Sequence, residues 1–218
     1  MFFNETSEIK DIAANHHAAI FVIPNNQRIE IKNAILLEPQ EKSVITIEQV
    51  RNVIERLKLK TSKPQYILIQ PADKMQTEAA NAFLKNLEEP TENIHFVLIT
   101  ENIAKILPTI RSRSALYFMK SIESLESKID ADEGTNSISR NLLMAKGQEL
   151  IDVAEKIAKK KDREYTLNVL SIAIKMSYKA YFMNGKNIFL KKIPKLLDAY
   201  DNIAANGHIK LHLIADLC

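Results

Sequence analysis

Glycine is scarce in this 218-residue chain: there are four, Gly134, Gly147, Gly185 and Gly207, and none lies in the first 133 residues. A loop that cradles phosphate needs glycine, so that successive backbone N–H groups can turn toward one anion. No G-x-x-x-x-G-K-[ST] sequence occurs, so the chain carries no P-loop. Cysteine is scarcer still, with Cys218, the last residue, as its single instance. That excludes a disulfide framework or a cysteine-rich zinc site within one chain and leads us to expect a reducing, cytoplasmic setting. Long apolar runs are absent too. None approaches the roughly 20 residues that cross a bilayer, so no contact with a membrane is expected. The opening MFFNETSEIK lacks a basic segment followed by an apolar one, and does not read as a signal peptide.

What is present describes a soluble globular protein, 46% hydrophobic and 26% charged, long enough for one ordinary domain and a smaller one. Charge is divided unevenly. Residues 1–139 hold 16 Lys/Arg and 19 Asp/Glu, a net of −3, whereas residues 140–218 hold 14 and 8, a net of +6. A basic bias of this size is compatible with nucleic acid nearby, although most lysine-rich helices are solvated faces.

The first half alternates strand-like and helix-like patterns. AAIFVI (18–23), ILLE (35–38), SVIT (43–46), YILI (66–69), IHFVLIT (94–100) and ALYF (115–118) are strand candidates. Between them, Thr46 and Gln49 form a capping-box pair ahead of an apolar stripe of Val50, Val53, Ile54 and Leu57. A second helix from Thr77 sets Ala80, Phe83, Leu84 and Leu87 on one face, and Pro90 stops it. Strands separated by helices predict an α/β fold with a mainly parallel sheet. RIEIK (28–32) alternates like a strand and predicts a hairpin on the sheet edge. In the second half, polar DADEGTNS (130–137) reads as a linker. Beyond it, helices are predicted around residues 142–157, 167–181 and 193–203, with Asn206-Gly207 as a stop, then a short last one in HIKLHLIADL: a small all-α bundle. The expected organisation is an α/β domain over 1–120, a linker over 121–137 and a helical domain over 138–218.

ADKMQTEAANAFLKNLEEP, then IHFVLIT, then ILPTIRSRS, resembles the AAA+ module of bacterial DNA polymerase III clamp-loader subunits, most closely the delta-prime type. The match is strong over about residues 43–118, and the ending YDNIAANGHIKLHLIADL is loosely similar to the family's C-terminal collar. The resemblance implies a degenerate AAA+ domain followed by a collar-like bundle. In ATP-hydrolysing relatives the strand ending here at Ile69 continues into Asp-Glu; the aligned residues are Gln70 and Pro71, with Asp73 further on. Neither Gln70 nor Pro71 can hold Mg²⁺ as a carboxylate or act as a general base. With the phosphate loop also missing, the resemblance implies no cofactor, no ATP hydrolysis and no enzymatic activity in this chain.

What the resemblance retains is the S-R-C-like motif, Ser112-Arg113-Ser114. In the family its arginine reaches the ATP of an adjacent subunit as a trans arginine finger, which assigns that role to Arg113, with Arg111 as a second contact. Thr100 takes the sensor-1-like position. Implied partners are ATPase subunits of the gamma/tau type and a delta-like subunit, with sliding clamp and primer–template DNA reached through the complex. The zinc-binding cysteines of many relatives are absent. The small lid domain is cut down, with SIESLESKI as its remaining helix.

Other signals were weighed against plainer readings. Arg113 could pair only with a local carboxylate. His16-His17 lacks a third metal ligand, Glu88-Glu89 reads as a solvated helix stop, KIAKKKDR as a solvated junction, and Met75 and Phe83 as core residues. The alternatives to a ring subunit are an atypical ATPase and a DNA-binding adaptor that uses the basic half.

Overall fold

The computed structural model describes the chain apart from residues 1, 4, 24–26, 41–42, 58–62, 90, 120–131, 186 and 218. It divides into two compact units, Met1–Ser124 and Leu125–Cys218. The first is an α/β unit. Strands β1 (Phe2–Phe3), β2 (Ala18–Val22), β3 (Ile35–Leu37), β4 (Gln65–Ile69), β5 (Ile94–Thr100) and β6 (Ala115–Met119) form one sheet in the order β1-β6-β2-β5-β4-β3. Every pairing is parallel, as the alternation of strands and helices predicts.

The central strands are apolar on both faces because both are covered. All five residues of β2 are buried, as are Tyr66 to Ile69 of β4. One face packs Phe21, Val97, Ile99 and Tyr117 against Ile9 and Ala13 of α1 (Ile9–Ala13). On α3 (Thr77–Glu88), Phe83 meets Phe96 of β5 edge-on, ring centroids 4.5 Å apart. Helix α2 (Ile47–Leu57) starts at the predicted capping box. The Thr46 N–H donates to Gln49 Oε1 at 2.9 Å, and the Gln49 N–H to Thr46 Oγ1 at 3.4 Å. A short helix, α4 (Pro108–Arg111), leads into β6.

Three local expectations are corrected. RIEIK forms no hairpin: residues 27–31 run without strand pairing, and Ile29 is buried in the core instead. SVIT contributes only an isolated bridge, Ile45 to Met75, so Met75 precedes α3 and is half-buried rather than core. At the other edge β1, which the sequence reading did not contain, pairs with β6.

The second unit is helical: α5 (Glu133–Met144), α6 (Gln148–Lys159), α7 (Arg163–Asn184), α8 (Asn187–Ala204) and α9 (Ile209–Ala215). Helix α5 begins inside the stretch read as linker, and the periodic run over 142–157 is two helices, α5 and α6. They part at Gly147, whose φ of 51° is a backbone conformation that glycine adopts without strain. The Ser139 hydroxyl of α5 donates to the Val169 carbonyl of α7 at 3.1 Å. Helices α7 and α8 pair antiparallel, with Arg163 at the start of one donating to the Ile203 carbonyl near the end of the other. After α8, Asn206 turns to φ 70°, and the Gly207 N–H donates back to the Asn202 carbonyl at 2.8 Å. A β-carbon on Gly207 would stand 2.4 Å from that carbonyl oxygen, so the stop requires glycine. SIESLESKI lies outside the described residues. Among those described, no helix is long and apolar enough to cross a membrane.

Candidate functional site: a closed cleft and an exposed arginine

In an open parallel sheet, ligands bind beyond the carboxyl ends of the strands. Here that crevice is a cavity of about 380 Å³, bordered by Ile23 after β2, Thr100 ending β5, and Gln70, Pro71 and Asp73 after β4. Gln70 is 6% exposed and gives its whole amide to one buried residue. The Ile29 N–H donates to Gln70 Oε1 at 3.0 Å, and Gln70 Nε2 donates to the Ile29 carbonyl at 2.8 Å. A carboxylate could accept the first bond but could not make the second. Gln70 therefore ties the segment after β2 across the strand tip.

Asp73, placed by a single 3₁₀ turn (Ala72–Lys74), accepts a hydrogen bond from the Thr100 hydroxyl at 2.9 Å. Thr100 Oγ1 in turn accepts from the Asn102 N–H at 3.0 Å. Thr100, expected at a sensor-1-like position, and Asp73 thus satisfy one another. Arg28, Lys74 and Lys105 on the cavity wall are balanced by Glu38, Asp73 and Glu101, and Arg28 pairs with Glu38 at 3.2 Å. This lining offers a triphosphate no excess of positive charge, no glycine loop, and an amide where Mg²⁺ requires carboxylate oxygen. The residues present do not fit a magnesium nucleotide.

Arg113 lies on the opposite side of the unit. The strands run parallel, and Arg113 stands just ahead of β6, so it belongs to the amino edge of the sheet, whereas the cleft is at the carboxyl edge. Five residues of strand separate the two edges, about 16 Å. Nη1 of Arg113 donates to the Thr109 carbonyl at 3.0 Å and to Ser112 Oγ at 3.2 Å, while Nη2 contacts Glu88 Oε1 at 2.8 Å. The Arg113 and Glu88 side chains are 36% and 51% exposed. The local carboxylate pairing weighed from the sequence is therefore present, on a guanidinium that remains open to solvent. Glu88 is correspondingly more than a solvated helix stop. Arg111 is half-buried on α4. Ser114 has a buried hydroxyl without a hydrogen-bond partner among the described residues.

Sequence spacing gave no sign of the Gln70–Ile29 or Glu88–Arg113 pairs, whose members lie 41 and 25 positions apart. His16 and His17 engage separate partners: His16 Nε2 lies 2.7 Å from the Tyr117 hydroxyl, and His17 bridges the Ile94 and Asn86 carbonyls. The second unit holds a crevice of about 650 Å³ edged by Lys159, Lys161, Arg163 and Lys210, the feature an adaptor for nucleic acid would use. Part of its charge is spent internally. Lys210 pairs with Glu155 at 2.8 Å, and that hydrogen bond holds the carboxyl below its ordinary range.

A fully parallel sheet flanked by helices, followed by a helical unit, defines an α/β protein of the open-sheet class. Comparison with known proteins narrows the class. The family model described as "DNA polymerase III, delta subunit" matches residues 3–123. The delta-prime subunit of Pseudomonas aeruginosa is 40% identical over 83 residues, 36% of this chain and 25% of that protein. The Bacillus subtilis delta-prime subunit is 38% identical over 94 residues, 41% of this chain and 28% of that one. A gamma subunit of Buchnera aphidicola is 28% identical over 173 residues, 77% of this chain and 44% of its own length. Among solved structures, a gamma subunit-related protein from Thermotoga maritima aligns over 98% of this chain and 97% of its own, at a TM-score of 0.43 and 17% identity. The chain belongs to the DNA polymerase III delta subunit family, as a clamp-loader-related subunit of the delta-prime type. It spans less than half the length of these curated relatives.

Proposed function

We propose that the chain is a non-hydrolysing member of a clamp-loader ring that lends Arg113 to the ATP site of an adjacent subunit. The observation that carries this reading is the opposition of the two edges. At the carboxyl edge Gln70 is committed to Ile29, and the amino edge presents a cation that its own cleft, about 16 Å away, cannot use. In the neighbour's site the guanidinium offsets negative charge that develops on the transferring phosphoryl group, the work of an arginine finger. Arg111, two residues earlier, braces the same surface as a second contact. The ring partners are gamma/tau-like ATPase subunits and a delta-like subunit, in the cytoplasm, and clamp and primer–template DNA are engaged through the complex. The helical unit is the collar that joins this subunit to the others. The chain itself is not an enzyme.

The test is Arg113→Ala in the reconstituted ring. Circular dichroism and assembly stay unchanged, while DNA-stimulated ATP hydrolysis at the adjoining site drops about 10³-fold or more. An unaltered rate at that site removes the role.

A further inference from the structure

We infer that Glu88 acts through Arg113 as an exchangeable counter-ion: its carboxylate stands in for the neighbour's phosphate at Nη2 until the phosphate displaces it, while the Nη1 anchors keep the guanidinium in its presenting orientation. This rests on the trans role proposed above. The two ends of the guanidinium fork are held differently. Nη1 is fixed by two neutral oxygens of its own turn, the Thr109 carbonyl at 3.0 Å and the Ser112 hydroxyl at 3.2 Å. Nη2 faces an anion, Glu88 Oε1, 2.8 Å away at the end of α3. Exchanging that carboxylate for a phosphate oxygen changes one contact and leaves the Nη1 anchors in place. The side chain need not be reordered when it meets its ligand, and that preorganisation lowers the cost of association.

The strength of the pair suits an exchangeable contact. Ion pairs exposed to this degree are worth about 0–1 kcal/mol, a factor of at most about five in an equilibrium. A polyphosphate brings more charge to Nη2 than one carboxylate does, so it outcompetes Glu88. Glu88 therefore biases the guanidinium without trapping it, and its removal takes away a competitor while the neutral anchors remain.

The experiment compares wild-type, Glu88→Gln, Glu88→Ala, Arg113→Ala and the Glu88→Gln/Arg113→Ala double variant in the assembled ring, measuring kcat and KM for ATP at the adjoining site. Both Glu88 variants raise kcat/KM by up to about fivefold, through a lower KM at unchanged kcat. The double variant behaves like Arg113→Ala alone, because the carboxylate acts only through the guanidinium. A pair serving stability alone lowers the melting temperature and leaves the split between kcat and KM unmoved. Unchanged or reduced kcat/KM in the Glu88 variants, with Arg113→Ala still impaired, overturns the Glu88 assignment and leaves the finger standing. An Arg113→Ala ring as active as wild-type rejects the finger itself, and the Glu88 assignment with it.

Discussion

At the residue scale, Gln70 has a structural use that its amide alone can serve. A primary amide matches a backbone N–H and C=O together, and the Gln70 side chain does this for Ile29 in a place sealed from water. Gln70→Ala leaves both groups buried and unpaired, and we expect it to lower the unfolding free energy by about 2–3 kcal/mol in urea denaturation. Gln70→Glu is the sharper probe. Its ionised carboxylate accepts from the Ile29 N–H but repels the Ile29 carbonyl, whereas the protonated form can donate to that carbonyl. The folded-state pKa of the introduced group is therefore raised, so the variant's deficit relative to wild-type shrinks as pH falls toward that pKa. A deficit constant between pH 7 and 4 contradicts the pairing. The sequence disclosed that an acid was missing at this position. It could not disclose what the glutamine holds, because Ile29 lies 41 residues away in a segment whose alternation looked like a strand.

At the scale of elements, the strands and helices of the first unit were legible because apolar periodicity there reflects burial on a sheet. IHFVLIT is β5, residue for residue. The misses have physical reasons. DADEGTNS looked like a linker because aspartate, threonine, asparagine and serine favour turns, yet the same side chains cap helices. Asp132 accepts from the Thr135 N–H at 2.9 Å, and α5 starts on the next residue. The apolar positions over 142–157 keep helical phase across the break at Gly147, so periodicity alone joined two helices. Pro194, tolerated best in a first turn, concealed the turns of α8 that precede it. The Asp132 cap is testable by pH. The hydrogen bonds from the Thr135 hydroxyl and N–H hold its carboxyl below the ordinary 3.8. A depressed acid stabilises the fold above its unfolded-state value and loses that contribution as pH falls through the folded one. Asp132→Asn, which keeps the capping oxygen but has no titrating proton, should show a shallower loss of helical signal than wild-type as pH falls below about 4. Parallel acid curves would remove the charged cap.

At the scale of the whole molecule, the proposed inability to use nucleotide rests on several parts. The sequence holds no Gly-Lys-Thr loop, the segment after β2 is tied down at Ile29, position 70 at the strand tip is an amide, and the charges on the cavity wall cancel. No single reversion repairs four separate deficits, so restoring an acid at position 70 should confer no binding. Thermal denaturation of the full chain tests this with a computable margin. A ligand binding only the native state adds RT ln(1 + [L]/Kd), about 2.7 kcal/mol at one hundred times Kd. For a chain of this size each kcal/mol moves the melting temperature by about 2–4 °C. A site with Kd near 10 μM would therefore raise it by several degrees in about 1 mM magnesium ATP, whereas we expect no shift for either wild-type or Gln70→Asp. A rise of several degrees in the wild-type chain would mean that the carboxyl edge still grips a triphosphate, and the division of labour between the two edges of the sheet would have to be abandoned.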